Sequence, residues 1–395
     1  MEGSAGILVL DANERCAVAA CESLSRAGYR VGTTSAERLV PGHWSRFSRA
    51  RYWAPDPRTS SRRFVEHLAA IARRNSFVSV LPGSDASLIA VSSHRELFDD
   101  TVELGLPSRE VVDACVSKVD LHEKAVEAGL SPPETIVCSN AGEALAAARR
   151  LGYPVLLKPR RTVFSRDGDT RQRQSFMAAD EAALEARLPE FGLPCLLQRR
   201  ERGQIVSIGG VMAEDRLQAI AASRYIRTWR PAAGSVSYSQ SITAPTHLID
   251  SVDRLLVALG WQGPFELELI ESSPGAFAAI DFNPRLYGSL ALAVDSGAPL
   301  PAIWCDWLLK GKAAQSTARP GVYYRWDDAD FRHVVAHISG GRLGSAISVL
   351  RPRRHTAHPY LRGGDPRPMA VRYLQALRSG ISNHLGRDRG ERIRA

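Results

Sequence analysis

A stretch near residue 270 brings together side chains that could bind a metal ion. Within 263–289, apolar residues alternate with Glu266 and Glu268, which is the period of a half-buried strand. A Ser-Ser-Pro-Gly turn separates this run from a second apolar run that ends in Asp281 and Asn283. Asp281 and Asn283 are two residues apart and point to the same side of a strand, and in a hairpin one of the two glutamates also faces that side. Carboxylate and amide oxygens suit Mg²⁺, although a hairpin with solvated carboxylates gives the same pattern.

Three basic residues have positions that favour contact with an anion. Arg285 follows the oxygen donors by two residues, and its planar guanidinium suits a phosphate. Lys118 follows Ser117, a predicted helix N-cap, and a cation there opposes the helix dipole unless an anion lies nearby. Lys158 ends an apolar strand pattern, where a lone charge is costly. Only five of the 51 basic residues are lysine, which hints that arginine does not serve at these sites. A surface lysine and a snorkelling lysine are the alternatives.

The elements that must position these residues indicate an α/β arrangement. The chain opens with a buried strand over 6–10, a helical pattern over 16–27 and a second strand over 29–33, which is a βαβ unit. No G-x-G-x-x-G sequence follows the first strand, so the dinucleotide-binding fingerprint is absent. Asp85 follows the strand pattern of 77–81, at the carboxyl end where open α/β sheets bind ligands. Capping of the next helix is the alternative role for this residue.

Three motifs, in this order along the chain, resemble the ATP-grasp enzymes. They are the lysine at the start of the predicted helix, the Gly-Tyr-Pro-Val-Leu-Leu-Lys-Pro stretch, and the acidic hairpin with its Asn-Pro-Arg end. The resemblance is to the carboxylate–amine ligase branch, with an ATP-binding domain like that of carbamoyl phosphate synthase large chains. It implies that Lys118 and Lys158 bind ATP and that Lys158 and Arg285 act in catalysis. The metal ligands that it implies are Glu268, Asp281 and Asn283.

The same resemblance implies further contacts. Gln198 and Glu201, at a strand-to-loop joint, correspond to the hinge that holds the nucleotide, although a solvated turn has the same composition. Arg227 lies in a segment similar to the family's substrate-binding R-x-x-R loop, and a positively charged surface strand is its alternative. Asp85 is the second residue implied in substrate binding. The family usually has Glu where this chain has Asp281.

The predicted fold class is α/β, with a Rossmann-like pre-grasp domain, a two-lobed ATP-grasp domain of α+β lobes and a C-terminal extension. The predicted boundaries are 1–112 for the pre-ATP-grasp domain, 113–312 for the ATP-grasp domain (lobes 113–197 and 198–312) and 313–395 for the extension. The extension is expected to be basic and partly disordered. The segment 160–173 takes the place of the family's phosphate-covering loop, and it contains five Arg, two Asp and one Gly.

Charge and composition limit the partners. The net charge is +9, and residues 351–395 supply +8 of it through 11 Arg against three acidic residues. A nucleic-acid partner would therefore depend on the tail alone, and a solvated tail is the favoured interpretation. No run of 18 apolar residues indicates a membrane span. Six scattered cysteines without a C-x-x-C pair, and no signal-peptide pattern, predict a cytoplasmic location.

The function that the resemblance implies is ATP-dependent ligation. A small-molecule carboxylate and an amine, with amino acids among the candidates, would be joined through an acyl phosphate, with ATP and Mg²⁺ or Mn²⁺ as cofactors. ADP and phosphate would be released. The alternatives are an ATP-grasp kinase and an inactive, non-ligase nucleotide-binding protein, and association into a homodimer is left open.

Overall fold

The computed structural model describes residues 4–160, 163–166, 169–172, 175–229, 234–339, 349 and 352–378. Two predictions fall partly outside these residues. The side chains of the predicted phosphate-covering segment lie outside them from residue 161 to 174, and so does the end of the basic extension, 379–395. Within the described ranges, no helix is long and apolar enough to cross a membrane.

The N-terminal part is a parallel sheet with helices on both faces, in the strand order β3-β2-β1-β4. Its elements are β1 (Gly6–Val9), α1 (Cys16–Arg26), β2 (Arg30–Ser35), β3 (Ala50–Trp53), α2 (Ser61–Asn75), β4 (Phe77–Leu81) and α3 (Asp85–Ser93). Alternate residues of β1 enter different cores: Ile7 and Val9 pack with α1, and Leu8 packs with α2. The continuous apolar run of β1 is thus explained by burial on both faces, and the predicted βαβ opening is confirmed.

The middle of the chain forms a four-stranded antiparallel sheet in the order β5-β10-β6-β9. The elements are α4 (Arg109–Cys115), α5 (Lys118–Glu127), β5 (Thr135–Cys138), α6 (Ala141–Leu151), β6 (Val155–Pro159), β7 (Val163–Arg166), β8 (Asp169–Gln172), β9 (Phe176–Ala178), α7 (Glu181–Phe191) and β10 (Cys195–Arg199). Helices α6 and α7 cover one face, where they pack on Leu157 and Leu197. Because side chains alternate along a strand, Lys158 and Gln198 point to the opposite face.

The last part is built on an eight-stranded sheet, in which β16 pairs with β12 beside the main order β15-β14-β11-β12-β13-β17-β18. Its elements are β11 (Gln204–Ala213), β12 (Arg216–Trp229), β13 (Ser235–Ile242), α8 (Thr246–Leu259), β14 (Gly263–Ser273), β15 (Ala276–Asn283), α9 (Leu290–Asp295), α10 (Leu300–Lys310), β16 (Ser316–Thr317), β17 (Tyr323–Arg325), α11 (Asp327–Ser339) and β18 (Thr356–Ala357), followed by a helix α12 over 367–378. Strands β16–β18 come from the predicted extension, yet they widen the sheet that contains the acidic hairpin.

Helix packing brings the ends of these sheets together. Helix α1 shares a core with α9 and α10, which holds the N-terminal sheet against the eight-stranded sheet. Leu121 and Ala125 of α5 share another core with α8 and with Phe277 of the hairpin. The start of α5, the open face of β6, the carboxyl end of β4 and the end of the hairpin therefore approach one another.

Candidate active site

The hairpin β14–β15 places four polar side chains on one face. Glu268 lies directly opposite Asp281, and Glu266 lies directly opposite Asn283. Cross-strand partners share a face, and so do residues two apart on one strand. Both glutamates therefore face the side of Asp281 and Asn283. The expectation that only one of them would do so is wrong, because residues two apart on a strand share a face.

Helix α5 delivers Lys118 to this face. Ser117 is the N-cap, since its hydroxyl accepts the backbone N–H of Asp120, as predicted. The Lys118 ammonium is buried and pairs with the Asp281 carboxylate. Burial by itself would raise the pKa of Asp281, but Lys118 and Lys158 outweigh burial and hold that pKa below its usual range. Asp281 therefore stays ionised at neutral pH, and 38% of its side-chain surface remains exposed.

Strand β6 delivers Lys158 to the same place. Its ammonium donates to the carbonyl oxygen of Ile280 at 3.2 Å, and only 8% of the residue is exposed. Burial, with the nearby Lys118 charge, lowers the pKa of Lys158 to about 8. Two ammonium groups thus lie beside β15, one paired with the Asp281 carboxylate and the other bonded to the Ile280 carbonyl oxygen.

The Glu268 carboxyl is strongly perturbed by its surroundings. Burial, with the charges of Glu266 and Asp281, raises its pKa to about 8. The hydroxyl of Tyr225, on β12, donates to its Oε1 at 2.8 Å. A cation placed between Glu268 and Asp281 would relieve this repulsion and return the carboxyl to its ionised form.

Arg285 connects the hairpin to the N-terminal sheet. Its Nε donates to Oδ1 of Asp85 at 2.5 Å, and its Nη2 donates to Oδ1 of Asn283 at 3.1 Å. Asp85 lies in the first turn of α3, whose N-cap is Ser84, so its side chain serves Arg285 and leaves capping to the serine. Burial alone would lower the pKa of Arg285, but Asp85 raises it, and the guanidinium is charged at every accessible pH.

A small cleft lies where these elements meet. Its lining consists of Asp85, Cys115, Val116, Ser117, Lys118, Leu121, Asp281, Phe282 and Asn283. Four of the residues predicted from the sequence line this cleft. Lys158, Glu268 and Arg285 join it through the contacts with Ile280, Asp281 and Asp85.

Two predicted nucleotide contacts lie on or after β10. The amide nitrogen of Gln198 donates to Thr135 Oγ1 at 2.9 Å and lies 3.2 Å from Nε2 of His122. Burial, with the charges of the two lysines, lowers the pKa of His122 to about 4, so this ring is neutral and can accept. The side-chain oxygen of Gln198 is buried without a donor among the described residues. No described hydrogen bond or ion pair joins Glu201 to the other predicted site residues.

Arg227, the predicted carboxylate contact, already has a carboxylate partner. Its Nη2 donates to both oxygens of Asp330 at 2.8 Å, and Arg325 pairs with the same aspartate. Asp330 belongs to α11, about a hundred residues further along the chain, and no local pattern connects the two. The Arg227 guanidinium also stacks on Tyr238, 4.5 Å from the ring centre.

The donor set fits a divalent cation held jointly with a phosphate. Among the described residues, no three His, Cys, Asp or Glu side chains surround one point closely enough to hold a metal by themselves. Mg²⁺ is usually held by one or two carboxylates together with substrate phosphates. Glu268 and Asp281 are adjacent across the hairpin, and Asn283 adds an amide oxygen beside them. The residues therefore suit a metal that arrives with its phosphate ligands.

Sequence reasoning did not assign roles to Tyr225, Glu266 or His122. The alternation of side chains along a strand places Glu266 on the same face as Glu268, so the sequence could have indicated that Glu266 belongs to the site. Tyr225 and His122 had no such signal, because each contacts the site from an element whose position depends on tertiary packing.

No model of a known protein family matches the chain. A stretch of 125 residues is 29% identical to the carbamoyl phosphate synthase large chain of Neisseria meningitidis, and it covers 31% of this chain and 12% of that protein. The match thus spans about an eighth of the curated relative.

Solved structures match over most of the chain. The N5-carboxyaminoimidazole synthetase of Staphylococcus aureus in complex with ADP has a TM-score of 0.63 and 11% identity, and the match covers 82% of each chain. The L-amino acid ligase of Bacillus licheniformis has a TM-score of 0.61 and 14% identity over 78% of this chain and 75% of that one. The biotin carboxylase of Campylobacter jejuni has a TM-score of 0.61 and 16% identity over 80% and 74%. The chain therefore shares the fold of these three proteins, which is the ATP-grasp fold that the resemblance predicts.

Proposed function

We propose that this protein is an ATP-dependent carboxylate–amine ligase that forms an amide or peptide bond. The observation that carries the proposal is the convergence of Lys118 and Lys158 on Asp281, with Glu268 opposite it. Cations and carboxylates from three distant segments meet at one cleft, which is the charge pattern that a metal-bound triphosphate requires. The names of the structural neighbours, which include an amino acid ligase and an ADP complex, support the same class.

The proposed reaction has two steps. A carboxylate oxygen of one substrate attacks the γ-phosphorus of ATP, and the bond from that phosphorus to the β-phosphate oxygen breaks, so ADP leaves. The amine of the second substrate attacks the carbonyl carbon of the acyl phosphate, the carbon–oxygen bond to phosphate breaks, and the nitrogen loses a proton. Both steps redistribute negative charge, so the protein contributes positioning and charge stabilisation and needs no nucleophilic side chain.

The three cations have distinct positions around this charge. Lys118 and Lys158 are buried ammonium groups on the α5 and β6 side, where phosphate oxygens would replace part of their lost hydration. Arg285 lies on the N-terminal side, where Asp85 and Asn283 orient it. We assign ATP binding to the lysines, and charge stabilisation during transfer to Lys158 and Arg285.

Glu268, Asp281 and Asn283 would hold Mg²⁺ or Mn²⁺, which shields the phosphate charge when bound. In the structure Asp281 is paired with Lys118. A cation at Asp281 would take over that carboxylate and leave Lys118 to a phosphate. The ion pair therefore keeps both groups charged and in place before ligands arrive.

Four further residues are proposed to contact the nucleotide or the substrates. The Gln198 side-chain oxygen, which has no donor within the described part of the chain, suits a donor on the nucleotide, and Glu201 follows β10 in the same hinge. Arg227 and Asp85 remain the proposed contacts for the small-molecule carboxylate and amine, with Asp330 limiting the charge that Arg227 offers.

The domain division that we propose is 1–112, 113–312 and 313–395. The location that we propose is the cytoplasm.

The test is turnover with defined substrates. The protein is incubated with ATP, Mg²⁺ and pooled carboxylates and amines, including amino acids, and ADP and inorganic phosphate are measured separately. A ligase releases the two in equal amounts, and only when both substrates are present. ADP without free phosphate would indicate a kinase. Nucleotide binding with no ADP above background in any pool would indicate an inactive nucleotide-binding protein.

A further inference from the structure

We propose that Glu266 and Tyr225 are positioning residues that orient the two metal ligands Asn283 and Glu268. This inference rests on the proposed metal site. It separates the roles of two glutamates that the sequence pattern leaves equivalent, since both lie on the same face of the hairpin.

Glu266 is held by three side-chain donors from different elements. It is 4% exposed, and its Oε1 accepts from Ser207 at 2.8 Å and from Ser289 at 3.2 Å. Its Oε2 accepts from Nδ2 of Asn283 at 3.1 Å. The Tyr225 hydroxyl lies 3.4 Å from Oε1 but gives its single proton to Glu268, at 2.8 Å. Glu266 is therefore fixed in place beside Asn283.

The bond from Asn283 to Glu266 fixes which end of the amide faces the site. The amide nitrogen is turned to Glu266, and the oxygen accepts from Nη2 of Arg285 at 3.1 Å. An amide can bind a metal only through its oxygen, so the reversed orientation would be useless. Glu266 and Arg285 act from opposite ends of the amide and select the productive orientation.

Tyr225 orients the carboxylate of Glu268, as Glu266 orients the amide of Asn283. Its hydroxyl donates to Oε1 of Glu268 at 2.8 Å, and the ring is buried in the sheet. Among the described residues, the Tyr225 hydroxyl is the donor to Glu268 and it takes Oε1, so Oε2 is the oxygen presented to a cation. Tyr225 also contacts Glu266, so one network of hydrogen bonds holds both ligands.

A purely structural origin for this network is unfavourable. Replacement of a buried charged group by apolar residues of similar volume is often neutral or stabilising, so stability alone does not call for a carboxylate here. Residues that orient metal ligands typically change metal affinity about 10–100-fold when mutated. The position of the network, directly behind the two ligands, matches that role.

The experiment measures Mn²⁺ affinity by electron paramagnetic resonance in the presence of ADP. Tyr225→Phe deletes one buried hydroxyl and is expected to weaken Mn²⁺ binding about 10-fold, and Glu266→Gln about 10–100-fold. Tyr324→Phe is the matched control: Tyr324 is also buried, but its hydroxyl donates to the carbonyl of Gly288. Binding of ADP in EDTA should be the same in all four proteins, because neither positioning residue contacts the lysines.

The outcomes separate this inference from the proposed function. If the wild type binds no Mn²⁺ with ADP, the metal site and this inference both fail. If the wild type binds Mn²⁺ and Tyr225→Phe binds it equally well, only the positioning role is wrong. A Tyr225→Phe variant that loses Mn²⁺ affinity and keeps the wild-type thermal unfolding midpoint and ADP binding supports the role. Equal losses in Tyr225→Phe and Tyr324→Phe would overturn it.

Discussion

Replacement of the buried lysine on β6 should stabilise the ligand-free protein while it disables nucleotide binding. The pKa of Lys158 falls from 10.5 to about 8, first because of burial and then because of Lys118. At 1.36 kcal/mol per pH unit, keeping this ammonium charged costs about 3 kcal/mol. Lys158→Met removes the charge and keeps the length of the side chain. It also loses the bond to the Ile280 carbonyl, worth about 1 kcal/mol, so the expected gain is about 2 kcal/mol.

The effect of the Lys158 charge on the free energy of unfolding depends on pH. A lysine whose pKa is lower in the folded state destabilises that state while both forms are protonated, here below pH 8. The cost fades as pH rises from about 8 to the unfolded value of 10.5. The gain from Lys158→Met should therefore be full at pH 7 and below about 1 kcal/mol near pH 10.

The assay is urea unfolding of the ligand-free protein at pH 7 and pH 10, with nucleotide binding measured by calorimetry. Lys310→Met is the control, because 51% of the Lys310 side chain is exposed and its pair with Asp306 is worth about 0–1 kcal/mol. Nucleotide affinity should fall about 10- to 150-fold in Lys158→Met, the value of a hydrogen bond to a charged group. A Lys158→Met variant less stable than wild type at pH 7, or one whose gain persists at pH 10, would refute the reasoning.

Three further predictions concern other parts of the chain. Glu268→Gln should fold normally and lose metal-dependent turnover, which circular dichroism and phosphate release check together; normal turnover would show that the metal assignment is wrong. Mn²⁺ affinity should rise up to about 10-fold per pH unit below pH 8, because the pKa of Glu268 is raised to about 8 and the metal needs the ionised form; a flat titration curve contradicts this. Arg362→Met should lower the free energy of unfolding by about 3–5 kcal/mol, because Arg362 pairs with buried Glu22 at 2.6 Å and with Asp295; an unchanged urea midpoint contradicts this.

The fold and the centre of the site could be predicted because their signals are local. Alternation of apolar and acidic residues fixed the face of the hairpin, and the Ser-Lys pair marked the start of α5. Lys158 ends an apolar strand pattern, where a charge without a partner is costly. In the structure its ammonium donates to the Ile280 carbonyl oxygen. These signals need only neighbouring residues, so they survive without knowledge of tertiary contacts.

The remaining features depend on residues far apart in the chain. The alternation puts Glu266 and Glu268 on one face, and only the donors from Ser207, Ser289 and Tyr225 distinguish them. Strands β16–β18 contain two or three residues each, which is too short for a periodic signal. They form because a sheet edge is already present beside them, and so their pairing could not be read from the extension alone.

The ion pair between Lys118 and Asp281 connects the proposed nucleotide and metal sites. The cap of α5 is Ser117, which supplies no charge to the lysine that follows it. The buried ammonium of Lys118 then needs an anion from elsewhere, and Asp281 supplies it. The proposed metal and Lys118 compete for the same carboxylate. A metal bound without a nucleotide would leave the Lys118 ammonium without an anion. A nucleotide bound without a metal would leave the Asp281 carboxylate facing the negatively charged phosphate. Each ligand removes the cost that the other creates. Their affinities should therefore be coupled in the same favourable sense, and by linkage each should strengthen the other by the same factor.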